Sequence, residues 1–73
     1  MEFRELIDIR SGVRSGKPCI KGTRITVSDV LEYLASGMTS EQIRKDFPEL
    51  KSEHIQACLA FAANREHLLH TSH

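Results

Sequence analysis

Gly16-Lys17-Pro18-Cys19-Ile20-Lys21-Gly22-Thr23-Arg24-Ile25-Thr26-Val27 is the stretch on which the reading of this chain turns. Gly16-Lys17-Pro18 and Lys21-Gly22-Thr23 each read as a turn, because Gly takes positive φ freely and Pro fixes its own φ. Cys19-Ile20 between them reads as extended. Thr26-Val27-Ser28-Asp29 then has the form of a capping box, with Asp in place of Glu. The turns therefore end where a helix begins.

Downstream, Val27, Val30, Leu31 and Leu34 fall on one apolar stripe, which predicts a first helix over 27–36 with Gly37 at its C′ position. Thr39-Ser40-Glu41-Gln42 is a second capping box, opening a short helix over 40–46. Its expected buried residues are Ile43 and Phe47, with Met38 as a staple before the cap and Pro48 as the stop. A longer third helix is expected from Ser52 to Leu69. Ile55, Cys58, Leu59, Ala62 and Leu69 share a narrow arc that should face the core. Upstream, Glu5–Arg10 alternates, with Ile7 and Ile9 on one face, and reads as a strand. Ser11-Gly12 is a turn, and Val13-Arg14 is expected to open a second short strand.

The fold class expected is mainly α: a three-helix helix-turn-helix unit behind a short N-terminal β-strand arm. Residues 1–26 form the strand and glycine-turn arm and residues 27–73 the trihelical region, together one domain. At 73 residues such a chain buries a modest core, so a second copy or another partner is a natural expectation. No apolar run has the length of a membrane span and no signal-like stretch follows the charged N-terminus, which points to a cytoplasmic protein with no membrane role. Cys19 and Cys58 are then read as free thiols.

The net charge is zero but unevenly spread. Residues 1–26 carry Arg4, Arg10, Arg14, Lys17, Lys21 and Arg24 against Glu2, Glu5 and Asp8, a balance of +3. Residues 27–50 carry Arg44 and Lys45 against Asp29, Glu32, Glu41, Asp46 and Glu49, a balance of −3. Any attraction to phosphate therefore sits in the arm.

The segment Gly16–Ile25 resembles the signature of a small prokaryotic family, domain of unknown function 433. The likeness continues through Leu34–Thr39, Glu41-Gln42-Ile43, Phe47–Leu50 and Ile55–Ala62. The resemblance implies a homeodomain-like helix-turn-helix fold. It further implies an antitoxin of a type II toxin–antitoxin module, a non-enzyme that inhibits a PIN-like ribonuclease toxin and that can bind promoter DNA in autoregulation. Two departures stand out. Lys51 and His54 replace the Thr and the acid that often cap the third helix, leaving Ser52 as its expected N-cap. Thr26 stands where Pro is common.

Several residues carry competing readings. Gly16, Pro18, Gly22, Thr23 and Arg24 either shape turns or belong to a loop that grips a partner. On the structural reading, Arg24 hydrogen-bonds backbone carbonyls or Asp29. Arg14, Lys17 and Lys21 are the candidate phosphate contacts of the arm. Lys51, Ser52, His54 and Gln56 are the candidate base-reading residues of the third helix, since Gln can pair with adenine and Lys with guanine or phosphate. Ala57, Phe61 and Leu68 fall opposite the core arc. They form either a wrap-around contact with the strand or, with Arg65, a homodimer or toxin interface. Arg65 or Lys51 is the candidate cation for the toxin's carboxylates. A stand-alone DNA-binding regulator and a non-catalytic dimeric adaptor are the alternative functions. No metal or cofactor is expected: His54 with Cys58, and His67, His70 and His73, supply spacing but no closed ligand set.

Overall fold

The computed structural model describes residues 5–69, with side chains described through residue 64. Strand β1 (Ile7–Ile9) pairs antiparallel with β2 (Pro18–Ile20), in the register Ile7 with Ile20, Asp8 with Cys19 and Ile9 with Pro18. The Lys21 N–H donates to the Leu6 carbonyl at 2.8 Å. That bond sets the phase of the ladder. Asp8 and Cys19 form the next hydrogen-bonded pair, while Ile7 and Ile9 turn their own N–H and C=O groups outward. Pro18 faces Ile9 at a place where no donor to β1 is needed, which is how a proline fits inside this hairpin.

The second strand is thus Pro18–Ile20, and the strand expected at Val13-Arg14 is absent. Arg14 and Ser15 instead adopt left-handed backbone, with φ of 49° and 59°, and Gly16 continues the turn at 76°. Left-handed residues cannot extend a strand.

Past β2 the chain reverses through Ile20-Lys21-Gly22-Thr23, where the Thr23 N–H donates to the Ile20 carbonyl at 3.0 Å. Gly22, at φ 81°, holds the position of a type II turn that favours glycine. The Thr23 hydroxyl donates to the Ile20 carbonyl at 2.9 Å and accepts from the Ile25 N–H at 3.0 Å. The Ile20 N–H then reaches the Ile25 carbonyl at 2.8 Å, and Cys19 bridges to Thr26. One side of β2 is therefore closed by β1 and the other by the lead-in to the first helix.

Helix α1 (Val27–Ala35) opens with both halves of the expected capping box. The Asp29 N–H donates to Thr26 Oγ1 at 2.9 Å and the Thr26 N–H donates to Asp29 Oδ2 at 3.1 Å. Its end is a Schellman closure: Met38 N–H donates to Tyr33 C=O and Gly37 N–H to Leu34 C=O, with Gly37 at φ 104°. Helix α2 (Ser40–Asp46) is capped reciprocally by Thr39 and Gln42. Phe47, expected in the core, is half-buried and stacks on Tyr33 with ring centroids 5.4 Å apart.

Helix α3 (Ser52–Leu69) packs against both α1 and α2, and β2 packs against α1. The core joins Ile7 and Ile20 to Val27, Val30, Ile43, Leu50, Ile55, Ala57 and Cys58. The buried face of α3 is rotated by less than one residue step from the arc expected. Ala57 is fully buried and Leu59 is 48% exposed. The groove between α1 and α2 selects that face, and the small Ala57 side chain lets the helices approach closely.

The α3 start also differs from expectation. Ser52 is already helical, so Lys51 occupies the N-cap position and has no side-chain acceptor to offer. His54 supplies the other half of a box, its Nδ1 accepting from the Lys51 N–H at 2.9 Å. We expect Lys51→Asp to raise stability by about 1 kcal/mol, because it adds the missing cap acceptor. Urea denaturation of both proteins measures this, and an unchanged midpoint would show the helix start to be satisfied already.

Candidate functional site

Two arginines of the arm spend their guanidinium groups inward. Arg10 donates through Nη2 to the Thr23 carbonyl and lies 3.2 Å from Asp8 Oδ1 through Nε. Arg14 Nη1 donates to the Arg24 carbonyl at 2.8 Å and to Asp29 Oδ2 at 3.0 Å. Both grip the carbonyls of the turn that follows β2. The role expected of Arg24 belongs to Arg14: Arg24 is exposed, and among its bonds to Arg14 it contributes a backbone oxygen.

Burial raises the Asp29 carboxyl pKa, but hydrogen bonds from Thr26 and Arg14, together with Arg14's charge, outweigh it and hold the group below its ordinary 3.8. Gly16, Pro18, Gly22 and Thr23 occupy the turn and ladder positions already described. Lys17, Lys21 and Arg24 are left exposed at the edge of the arm. Of the three candidate phosphate contacts, Lys17 and Lys21 therefore present free charge to solvent, while Arg14 is tied down.

On α3, Lys51, Ser52 and Gln56 are exposed, and His54 is half-buried with its ring engaged in capping. Ala57, expected on an interface, lies in the core, and Phe61 packs against the core half-buried. Both residues thus pack inward, on the helix that meets α1 and α2. The side chains of Arg65 and Leu68 lie outside those described, as do His67, His70 and His73.

Among the described residues α3 exposes Ser52, Glu53, Gln56, Leu59, Ala63 and Asn64, of which Ser52, Gln56, Leu59 and Ala63 form one helical stripe with Glu53 at its side. Sequence reasoning missed Leu59 here by placing it in the core. The signal was available: Gln56 and Ala63, three residues before and four after, share its face and suit solvent.

Cys19 and Cys58 are free and buried. Burial pushes the Cys58 thiol up to about 11, so it stays protonated and unreactive at neutral pH. Among the described residues, no three His, Cys, Asp or Glu side chains gather where they could hold a metal ion. No described helix is long and apolar enough to cross a membrane.

Comparison with known proteins settles the family. The sequence model described as "Protein of unknown function (DUF433)" matches residues 7–62, most of the chain. The chain belongs to the DUF433 family. A crystal structure of a DUF433 member from Anabaena variabilis ATCC 29413 superposes with a TM-score of 0.80 at 25% identity, over 86% of this chain and 62% of that one. An uncharacterized protein, y4eO, of Sinorhizobium fredii (strain NBRC 101917 / NGR234) is 30% identical over 59 residues, which is 81% of this chain. This DUF433 chain spans only 27% of that relative's length.

Two measurements separate structural from exposed cations in this family member. Arg14→Ala should cost about 1–3 kcal/mol, since it removes charge-assisted hydrogen bonds. Lys17→Ala and Lys21→Ala should stay within about 0.5 kcal/mol. Denaturant titration of the three variants tests this, and equal effects would refute the division.

The acid limb supplies a second check. Because the folded-state value of Asp29 lies below its unfolded one, its contribution is present above the ordinary carboxylate range and is lost as pH falls through the lowered value. Asp29→Asn should therefore flatten the fall in stability on acidification below about pH 4.

Proposed function

We propose that this DUF433 chain is a non-catalytic binding domain, the antitoxin of a type II toxin–antitoxin module, which docks on a PIN-like ribonuclease and occludes its acidic active site. The observation that carries the reading is the outer face of α3. Gln56 and the half-exposed Leu59 lie on a stripe that carries no charge among the described side chains, with the exposed Lys51 and Glu53 flanking its start. Protein interfaces favour such an arrangement, an apolar anchor surrounded by polar and small side chains. A recognition helix on DNA instead wants cations around it to anchor phosphate, and this stripe has Lys51 at one end with Glu53 beside it. Lys51, exposed at the start of the helix, supplies positive charge for the carboxylates of a nuclease; the side chain of Arg65, the other candidate cation, lies outside those described. Leu59 takes over the anchoring role first assigned to Phe61.

Autoregulatory DNA binding is the second reading, and a different observation favours it. Lys17, Lys21 and Arg24 are exposed together around β2 and its turn, and contacts of this kind position a protein on the phosphate backbone without reading bases. A cytoplasmic homodimer presenting two such arms accords with both roles.

Co-expression with the neighbouring-gene ribonuclease, followed by affinity capture and a growth assay, tests the first reading. Leu59→Asp should leave the circular dichroism spectrum intact, weaken the complex by about tenfold or more and abolish rescue of growth. Capture and rescue that survive this substitution would remove α3 from the interface, and the absence of any complex with the unaltered chain would sink the antitoxin reading. Gel shifts on promoter DNA over a range of salt test the second. Lys17→Glu with Lys21→Glu should then weaken binding more than Gln56→Ala does, and binding that ignores salt would count against it.

A further inference from the structure

The outer edge of β1 is the least finished part of the fold. Ile7 and Ile9 direct their backbone N–H and C=O groups away from β2, and no described residue pairs with them. The Ile9 side chain is 64% exposed, more than any other large hydrophobic described. Beside it, Asp8 Oδ1 and Arg10 Nε are shielded from water and 3.2 Å apart, yet neither has an aligned hydrogen-bond partner. An open strand edge, an exposed isoleucine and an ill-aligned ion pair thus occur within consecutive residues.

We infer that this edge joins a second copy of the same chain, antiparallel about a two-fold axis through Ile9. The sequence of the strand chooses that axis. With Ile9 on it, the two Ile9 residues form a hydrogen-bonded pair that exchanges both backbone bonds, as their outward groups require. Asp8 then stands opposite the partner subunit's Arg10, and Arg10 opposite the partner subunit's Asp8. Opposite charges facing across a strand pair stabilise it. An axis through Asp8 would set two carboxylates face to face in a non-hydrogen-bonded pair, where opposed side chains approach most closely. An axis through Ile7 would centre on a side chain buried in its own core, 7% exposed, and would bring no opposite charges into register.

The edge is therefore self-complementary in only one register, the condition for a closed isologous dimer. The joined sheet runs β2, β1, β1, β2, and the two Ile9 side chains cover one another. Because each strand has three residues, the dimer is concentration-dependent. The inference does not rest on the antitoxin reading, since it uses neither α3 nor any toxin.

Sedimentation of the full chain over a concentration series tests it. The unaltered chain should dimerise reversibly. Ile9→Lys, which sets two like charges on the axis, and Ile9→Pro, which removes only an outward N–H, should each weaken association by about tenfold or more. Both substitutions fall at an exposed position outside the β1–β2 bonds, so circular dichroism should be unchanged. Ile9→Cys should form an interchain disulfide on mild oxidation, because a hydrogen-bonded antiparallel pair holds its Cα atoms about 5.5 Å apart, within disulfide range. Leu59→Asp should leave the dimer intact. A chain that stays monomeric with no Ile9→Cys cross-link would overturn the proposal, and so would a dimer that resists Ile9→Lys but is lost in Leu59→Asp. Toxin capture by the Ile9 variants remains an independent readout, so failure here is distinguishable from failure of the antitoxin reading.

Discussion

One carboxylate oxygen ties the arm to the helices. Asp29 Oδ2 accepts from the Thr26 N–H at 3.1 Å and from Arg14 Nη1 at 3.0 Å. The first bond completes the cap of α1. The second reaches back across the turn, and the same Arg14 nitrogen also holds the Arg24 carbonyl at 2.8 Å. The left-handed conformations of Arg14 and Ser15 cost about 1–2 kcal/mol each. A hydrogen bond to a charged group contributes about 1.5–3 kcal/mol, and Arg14 makes one such bond and a second to a carbonyl. The two sides are of similar size, so the turn persists because the Arg14 side chain is fastened, and the fastening is possible because the turn aims it.

The same economy decides where charge is available. The excess of cations in residues 1–26 placed any attraction to phosphate in the arm. Arg10 and Arg14 instead neutralise Asp8 and Asp29 and brace the turn after β2. Among the described residues of the arm, what remains outward is Lys17, Lys21 and Arg24, with Glu5 as the exposed acid. The arm thus separates cations that build from cations that are free to bind. Lysines, as flexible point charges, suit the second task, and the planar multidonor arginines suit the first.

Local rules were legible in the sequence and tertiary ones were not. Thr26 with Asp29, Thr39 with Gln42, and Gly37 after α1 each act within a single turn of chain, so their spacing alone revealed helix ends to within a residue. The strand expected at Val13-Arg14 failed because Arg14 answers to Asp29, fifteen positions away. Leu59 and Ala57 were exchanged because α3 meets two helices at once, and their groove, not the apolar count, fixes its rotation. His54 replacing an acid in a capping box was hidden for another reason: a neutral imidazole can accept the same bond, but composition does not say which nitrogen is turned toward the backbone.

The candidate surfaces follow from what this small core leaves uncovered. A chain of 73 residues has little apolar surface to spare, yet among the described residues two large hydrophobics stand outside, Ile9 on β1 and Leu59 on α3. They belong to different elements and have different surroundings. Ile9 is flanked by an acid and a base on an open backbone edge, which selects a partner strand carrying the same two charges reversed. Leu59 lies in the middle of a helix, where backbone groups bond within the helix, so only its side-chain stripe can discriminate. Strand addition draws on backbone hydrogen bonds and register, whereas helix docking draws on the fit of an anchor into a pocket. Neither chemistry can substitute for the other, and a single chain can therefore present its own copy and a foreign protein with separate surfaces.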